Sequence, residues 1–205
     1  MMNSEDRAAF MAEFDVSRET SERLDAVILT HDAWRQRSNL IGPREWPQIW
    51  TRHVADSFQI LPFIPETTHC VDLGSGAGFP GLVISAARPE GHVTMMESVG
   101  KKCAFLRAAI EAARLNASVY QGRIEDAPPS RADIVTARAF APLSKLLDYA
   151  ASWMENGATG VFLKGERWKE ELTDAQQRWN FAYEAIPSRT GGSGVILIVR
   201  ELKRG

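Results

Sequence analysis

The stretch Cys70–Gly81, CVDLGSGAGFPG, constrains the fold more than any other part of the chain. A hydrophobic strand, Cys70–Leu73, runs into glycines, and a helix begins at Pro80. Proline suits a first helical turn because its missing N–H would be unpaired there anyway. Glycines let the backbone turn tightly and approach a ligand closely. In an open α/β sheet this turn lies at the carboxyl end of the first strand, where ligands bind. Two registers overlap in the string. Gly76, Gly78 and Gly81 match G-x-G-x-x-G, while Gly74, Gly76 and Gly78 match G-x-G-x-G behind Asp72. The first pattern belongs to dinucleotide sites, where the first glycine follows the strand directly; here Gly74 and Ser75 already intervene. It also sets Pro80 in the opening turn, facing a pyrophosphate that wants N–H donors. The second register suits S-adenosylmethionine (AdoMet), whose ammonium, sulfonium and ribose favour carboxylates near the loop. Asp72 is placed for that role, or for capping the loop. The embedded G-x-G-x-x-G reads as a coincidence of register.

After Pro65, short apolar runs alternate with helical patterns. The strands predicted are Cys70–Leu73, Val93–Met96, Ser118–Tyr120, Ile134–Thr136 and Gly160–Leu163. Helices are predicted at Pro80–Arg88, Lys101–Leu115 and Leu143–Met154. Such alternation indicates a parallel sheet with helices on both faces. FAYEAIP, RTGGSG and VILIVREL then read as a hairpin of two strands. The expected fold is α/β: a Rossmann-like, mostly parallel seven-stranded sheet ending in an antiparallel hairpin, one architecture of AdoMet-dependent methyltransferases. Upstream of Ile64 the texture is helical. Arg18–Arg37 carries Leu24, Val27, Ile28, Ala33 and Trp34 at helical spacing behind Ser17, and Ile49–Ile60 forms a further helix. Residues 1–64 are therefore expected to be a helical extension on a 65–205 domain.

The hydrophobic fraction of 44% in 205 residues supports one buried domain with an appendage. The longest clean apolar run, Val195–Val199, is far too short for a membrane span. MMNSEDRAAFMAEF lacks an apolar signal core, so a cytoplasmic protein is expected. Cys70 and Cys103 form no C-x-x-C pair and are expected to be reduced, buried thiols. With a net charge of −2, any nucleic-acid binding must use local basic groups. Nothing signals oligomerisation, so a monomer is expected.

Glu97 ends the second strand, where an acid accepts both hydroxyls of a ribose; NAD sites use an acid in the same place, so this does not discriminate. In GRIEDAPP, Glu125 and Asp126 are placed to receive an adenine amino group and Ile124 to pack on the base, although taken alone the segment reads as an ordinary acidic loop. Arg138 emerges from the fourth strand beside the transferred methyl, or else pairs with Asp133 or Glu125. No [DNS]-P-P-[YF] follows that strand, which holds RAFAP instead; the Pro128–Pro129 pair lies one unit earlier. Neither cysteine is placed as a nucleophile for pyrimidine methylation, and no Ser-His-Asp order or metal cluster is evident. A ring nitrogen such as guanine N7 has a free lone pair and no proton to remove. Its methylation needs placement and electrostatics without an essential base.

With these residues in place, the chain resembles the bacterial 16S ribosomal RNA guanine-N7 methyltransferases, also called glucose-inhibited division protein B. The segments RHxxDS, DLGSGAGFPG, ESxGKKxxFL, GRIED, RAFAPL and LKG occur in order, within a resemblance that includes NLIGPREWPQIW and covers most of the chain. The resemblance implies methyl transfer from AdoMet, leaving S-adenosylhomocysteine, to N7 of one guanine of 16S rRNA near the decoding region of the small subunit. It implies cofactor contacts at Gly74, Phe79, Ile124, Glu125 and Arg138, with Glu97 as the ribose acid; Asp72, Ser75 and Gly76 complete the candidate loop contacts. Arg123 and Arg138 are the catalytic candidates on the target-base side. Ala137 departs from a small hydroxyl residue common before the arginine.

Arg52, His53, Lys101, Lys102, Arg123, Lys164, Arg167 and Lys169 are the basic candidates for RNA, each weighed against a solvated surface role. His53 is equally readable as an interior histidine bonded to Asp56. Trp34, Trp46 and Trp50 read as core, and Trp168 as the better stacking candidate. Two rivals remain from other classes: an NAD(P)-linked oxidoreductase, and a non-catalytic ribosome-assembly factor that retains the fold.

Overall fold

A computed structural model describes residues 4–35, 37–38, 40–128, 130–190 and 192–205. Gln36 at the predicted helix end, Asn39 of NLIGPREW, Pro129 of the Pro-Pro pair and Gly191 of the hairpin turn lie outside the described residues. Seven strands form one sheet: β1 (His69–Leu73), β2 (His92–Glu97), β3 (Ala117–Gln121), β4 (Ile134–Arg138), β5 (Thr159–Lys164), β6 (Trp179–Pro187) and β7 (Val195–Arg204). Their order is β3-β2-β1-β4-β5-β7-β6. The first five are parallel, and β7 runs antiparallel to both β5 and β6. The predicted strands and hairpin are all present, each extended by one or two residues.

The order reverses between β1 and β4, and open α/β sheets bind ligands outside the strand ends at such a switch point. Register fixes what emerges there. Leu73 lies opposite Met96, so the glycine loop and Glu97 leave the sheet side by side. Arg138 lies opposite Leu163, and Lys164 opposite Val195, so these basic groups share the other side of the switch.

Two apolar clusters cover the sheet's faces. One carries α6 (Leu143–Met154) and α7 (Trp168–Gln176). Helix α7 escaped the sequence reading because its stretch is charged nearly all round and buries only Leu172 and Ala175. The other cluster joins α4 (Gly81–Ala87) and α5 (Gly100–Ala113) to the N-terminal helices α1 (Ser4–Glu13) and α2 (Arg18–Trp34). Phe10, Leu24, Ile28 and Trp50 pack in the same core as Val83 and Leu106, so the extension has no separate core. Ser17 caps α2 by accepting from the Thr20 N–H at 3.2 Å. The helix predicted over Ile49–Ile60 is a π-helical turn, Ile49–Val54, continuing into the short α3 (Ala55–Phe58). The Asp6 carboxylate accepts from the Trp50 and Thr51 N–H groups at 2.7 and 3.2 Å and satisfies the start of that turn. His53 lies in the last turn of the π-helix, and Asp56 lies on α3. Trp50 is fully enclosed, and Trp34 and Trp46 pack against the core.

Candidate active site

Gly74, Gly76 and Gly78 have φ of 67°, 54° and 88°, a left-handed backbone that side chains resist, whereas Gly81 does not. The loop thus adopts the G-x-G-x-G register. At Gly74 there is also no room: a Cβ would fall 2.1 Å from Cδ2 of Phe140. Gly81 has its own reason to be glycine, since a Cβ there would lie 2.8 Å from Asp72 Oδ2 and from Met95 Cγ. The embedded G-x-G-x-x-G is therefore more than a coincidence: its last member lets α4 settle on the sheet.

Glu97 is the pivot of the first cleft. Its Oε2 accepts from the Gly76 N–H at 3.0 Å and its Oε1 from the Val99 N–H at 2.8 Å. Each oxygen keeps a second lone pair, so the fixed carboxylate can still receive two hydroxyls. The cleft, about 370 Å³, is lined by Gly74, Glu97, Val99, Ile124, Phe140 and Tyr149, with Arg123 and Glu125 beside them. A side-chain-free loop, an acid with two spare acceptor positions and an apolar slot formed by Val99 and Ile124 fit a nucleoside such as that of AdoMet.

A second cavity of about 870 Å³ shares Ala139 and Phe140 with the first, so this short segment divides them. Arg138 lies in this cavity, held on several sides. Its Nε donates to Asp56 Oδ2 at 2.7 Å, its Nη1 donates to His53 Nδ1 at 2.8 Å, and its guanidinium sits 6.0 Å from the Phe79 ring centre. His53 can accept because it stays neutral: burial first, then the positive charges of Arg138 and Arg52, lower its pKa to about 3. Asp56 Oδ1 takes the Gln59 Nε2–H at 2.8 Å and the Thr190 hydroxyl at 2.9 Å. Lys164 donates to the Ala141 carbonyl at 2.9 Å and pairs with Glu171, which also accepts from the Leu143 N–H at 2.8 Å. These contacts pin the dividing segment, in which Ala139 has φ of 50°.

The structure brings Gly74, Glu97, Arg123, Ile124 and Glu125 to the first cleft and Arg138 to the second. Four further cofactor candidates, Phe79, Asp72, Ser75 and Gly76, line neither cavity. Phe79 is 5% exposed, packed between the rings of His31 and His53, each 5.3 Å away. It faces the extension because the chain after Gly78 turns into α4 on that side. Asp72 is wholly buried beneath the loop, its Oδ1 accepting from the Thr136 hydroxyl at 3.1 Å. Burial is the main reason its pKa is raised to about 6. Ser75 is buried too, its hydroxyl donating to the Asp72 carbonyl. Asp72 and Ser75 brace the loop from below. Gly76 contributes its N–H to Glu97.

Arg138 pairs with Asp56 and with neither Asp133 nor Glu125, and His53 bonds Arg138 rather than Asp56. Lys164 is internally engaged, and Arg167 pairs with Glu170 on the surface. Trp168 is half-buried, packing on the second core cluster under the Lys169 ammonium. Sequence reasoning missed Val99, Phe140, Gln59 and Thr190, and it missed Asp56 as the partner of Arg138. The i,i+3 spacing of His53 and Asp56 in RHVADS was the available signal. Among the described residues no group of His, Cys, Asp or Glu is arranged for a metal, and no helix is long and apolar enough to cross a membrane. Both cysteines are free and buried.

Residues 22–192 match the family described as rRNA small subunit methyltransferase G (GidB). A ribosomal RNA small subunit methyltransferase G from Hyphomonas neptunium is 74% identical over 204 residues, covering 100% of this chain and 99% of that protein. The protein of the same name from Gluconobacter oxydans is 43% identical, over 92% of this chain and 97% of that protein. In fold, the chain is similar to an O-methyltransferase from Bacillus cereus in complex with SAH. The TM-score is 0.59 at 14% identity, over 98% of this chain and 100% of that one.

Proposed function

The chain belongs to the rRNA small subunit methyltransferase G family, and from that premise we propose how its two clefts divide the reaction. The protein is an AdoMet-dependent methyltransferase of small-subunit ribosomal RNA, and the methyl goes to N7 of one guanine of the 16S molecule. The observation that carries this reading is the pairing of a nucleoside cleft, anchored by Glu97, with an arginine-bearing cavity across the Ala139–Phe140 segment at the switch point of the sheet.

In this reading Glu97 receives the ribose hydroxyls, Val99 and Ile124 flank the adenine, and Gly74 admits the remainder of the molecule. Bound AdoMet supplies an electrophilic methyl on a sulfonium. Arg138 orients the guanine in the second cavity through N–H groups that the protein leaves unused. N7 carries its lone pair in the ring plane, so no side chain has to remove a proton; alignment is the chain's main contribution. Arg123 is exposed at the mouth of the first cleft and, among the described residues, has no side-chain partner. It meets RNA phosphate there, together with the exposed Lys101. The substrate is the small ribosomal subunit or its precursor, and the enzyme works as a monomer in the cytoplasm.

The test is transfer of labelled methyl from AdoMet to purified small subunits lacking the modification, followed by mapping. One labelled guanine, cleavable by N7-specific chemistry, is expected. Label at an exocyclic nitrogen, on tRNA or on protein rejects the assignment.

A further inference from the structure

Among the described residues, the cations lining the larger cavity are Arg52, Arg138 and Lys164, and each faces a carboxylate. Arg52 lies 3.8 Å from Glu45, Arg138 2.7 Å from Asp56, and Lys164 against Glu171. A cavity that merely gathered phosphate would leave its cations unopposed. The Arg138–Asp56 pair is also the least screened by water of those holding an arginine here: the side chains are 19% and 21% exposed, against 58% and 43% for Arg52 and Glu45.

The chemistry explains why balance matters. The N7 lone pair forms the new N–CH₃ bond while the S–CH₃ bond breaks, its electron pair returning to sulfur. The sulfonium becomes a neutral thioether and the neutral guanine becomes a cation; no proton is gained or lost. Positive charge therefore arrives on the purine ring during the step. An unopposed guanidinium beside that ring would become more repulsive as the transition state forms, and only interactions that change between ground and transition state alter the rate. A guanidinium offset by a carboxylate keeps its donors and loses most of that penalty.

We propose that Asp56 is a positioning residue for Arg138 that fixes the plane of its guanidinium and offsets its charge, so that the cavity holds guanine by donor groups while the ring turns cationic. The inference rests on the reading of this cavity as the target-base site. Asp56 is built for the task. One oxygen is occupied by Gln59 and Thr190, which turns the other to Arg138 Nε. Gln59 is itself fixed, accepting from the Arg189 N–H at 2.8 Å. Of a guanidinium's five N–H groups, one is spent on Asp56 and one on neutral His53, and no other has a protein acceptor among the described residues. Anchoring the extension does not explain the pair, because Phe10, Leu24 and Trp50 already tie that segment into the core.

Asp56→Asn keeps the shape and removes the charge. With unmodified small subunits and AdoMet, kcat is expected to fall about 30-fold while KM for the subunit stays level or drops, because an unmasked arginine still attracts RNA. S-adenosylhomocysteine affinity is expected to change less than about twofold. In an Arg138→Ala background, Asp56→Asn is expected to change the rate less than about twofold, since a positioning residue has nothing left to position. A rise in KM at unchanged kcat, or effects of the two substitutions that multiply, overturns the proposal. Full activity of Arg138→Ala overturns the reading of the cavity and the proposal with it; a slow Arg138→Ala beside a wild-type Asp56→Asn overturns the proposal alone. Where Asp56→Asn does not fold, Thr190→Val tests the same point. A severalfold loss in kcat without a rise in KM supports the role of Asp56, and an unchanged kcat contradicts it.

Discussion

The two clefts that flank the switch point are built in opposite ways. The first is assembled mostly from compact stretches of chain, at residues 74, 96–102 and 122–125, closed by Ala139, Phe140 and Tyr149, and its critical contacts are main-chain N–H groups converging on one acid, Glu97. The second is assembled from side chains far apart in sequence: Asp56 from the extension, Arg138 from β4, Lys164 from β5, Glu171 from α7 and Thr190 from the β6–β7 connection. A main-chain site requires particular glycines at particular spacings. A side-chain network requires only that distant residues meet, and many sequences could supply the same meeting. On the proposed reading the first cleft is a general cofactor device, and the second carries what is particular to the target.

Glu97→Ala attacks the first cleft at its pivot. It removes the proposed ribose acceptor and leaves the Gly76 and Val99 N–H groups unpaired, each a charge-assisted bond worth about 1.5–3 kcal/mol. AdoMet affinity is expected to drop by about 100-fold or more, measured by calorimetry, while the Arg138 network persists. A drop of less than about threefold would show that the acid does not hold the cofactor.

Gly74→Ala acts on the wall between the clefts and is expected to be milder. It forces alanine into a left-handed backbone at a cost of about 1–2 kcal/mol and presses its Cβ into the Phe140 ring. Cofactor affinity is expected to fall about tenfold. Adding Phe140→Ala relieves the clash and restores part of the loss; no restoration would show that the ring does not bear on Gly74 in solution.

The smallest effect is on stability. Asp72 has a folded pKa raised to about 6, so the folded state holds its proton more tightly than the unfolded chain does. Its contribution to stability is therefore greatest in acid and declines as pH rises from about 4 to about 6. Asp72→Asn is expected to gain on the native protein in thermal midpoint across that window, by a few degrees. A constant difference from pH 4 to 7 would place Asp72 in a more polar setting than its burial implies.

These differences in construction explain what the sequence made readable. The strands and the hairpin follow from apolar runs with little competing signal, and the loop follows from glycines that the backbone itself demands. Glu97 was legible because it ends a strand adjacent to that loop. The direction of the Phe79 ring was not legible, because a position beside the glycines says nothing of which way a ring turns; His31 and His53, from the extension, create the pocket that takes it. Asp72 was read as a contact because it is acidic and near, yet only the register of β1 between β2 and β4 decides that it is enclosed. Helix α7 was invisible because its buried positions are only two, and Asp56 was mispaired because its partner lies 82 residues away. Local rules made the first cleft legible, and tertiary meeting built the second.

If cofactor binding and target orientation are separate tasks of separate clefts, as proposed, one substitution separates them. The S-adenosylhomocysteine affinity of Arg138→Ala, taken on a preparation whose single-turnover methyl transfer is measured in parallel, tests it most directly. Affinity within about threefold of the native protein is expected beside a transfer rate reduced about 100-fold or more. Loss of cofactor affinity that matches the loss of rate would contradict it and place Arg138 in the cofactor site.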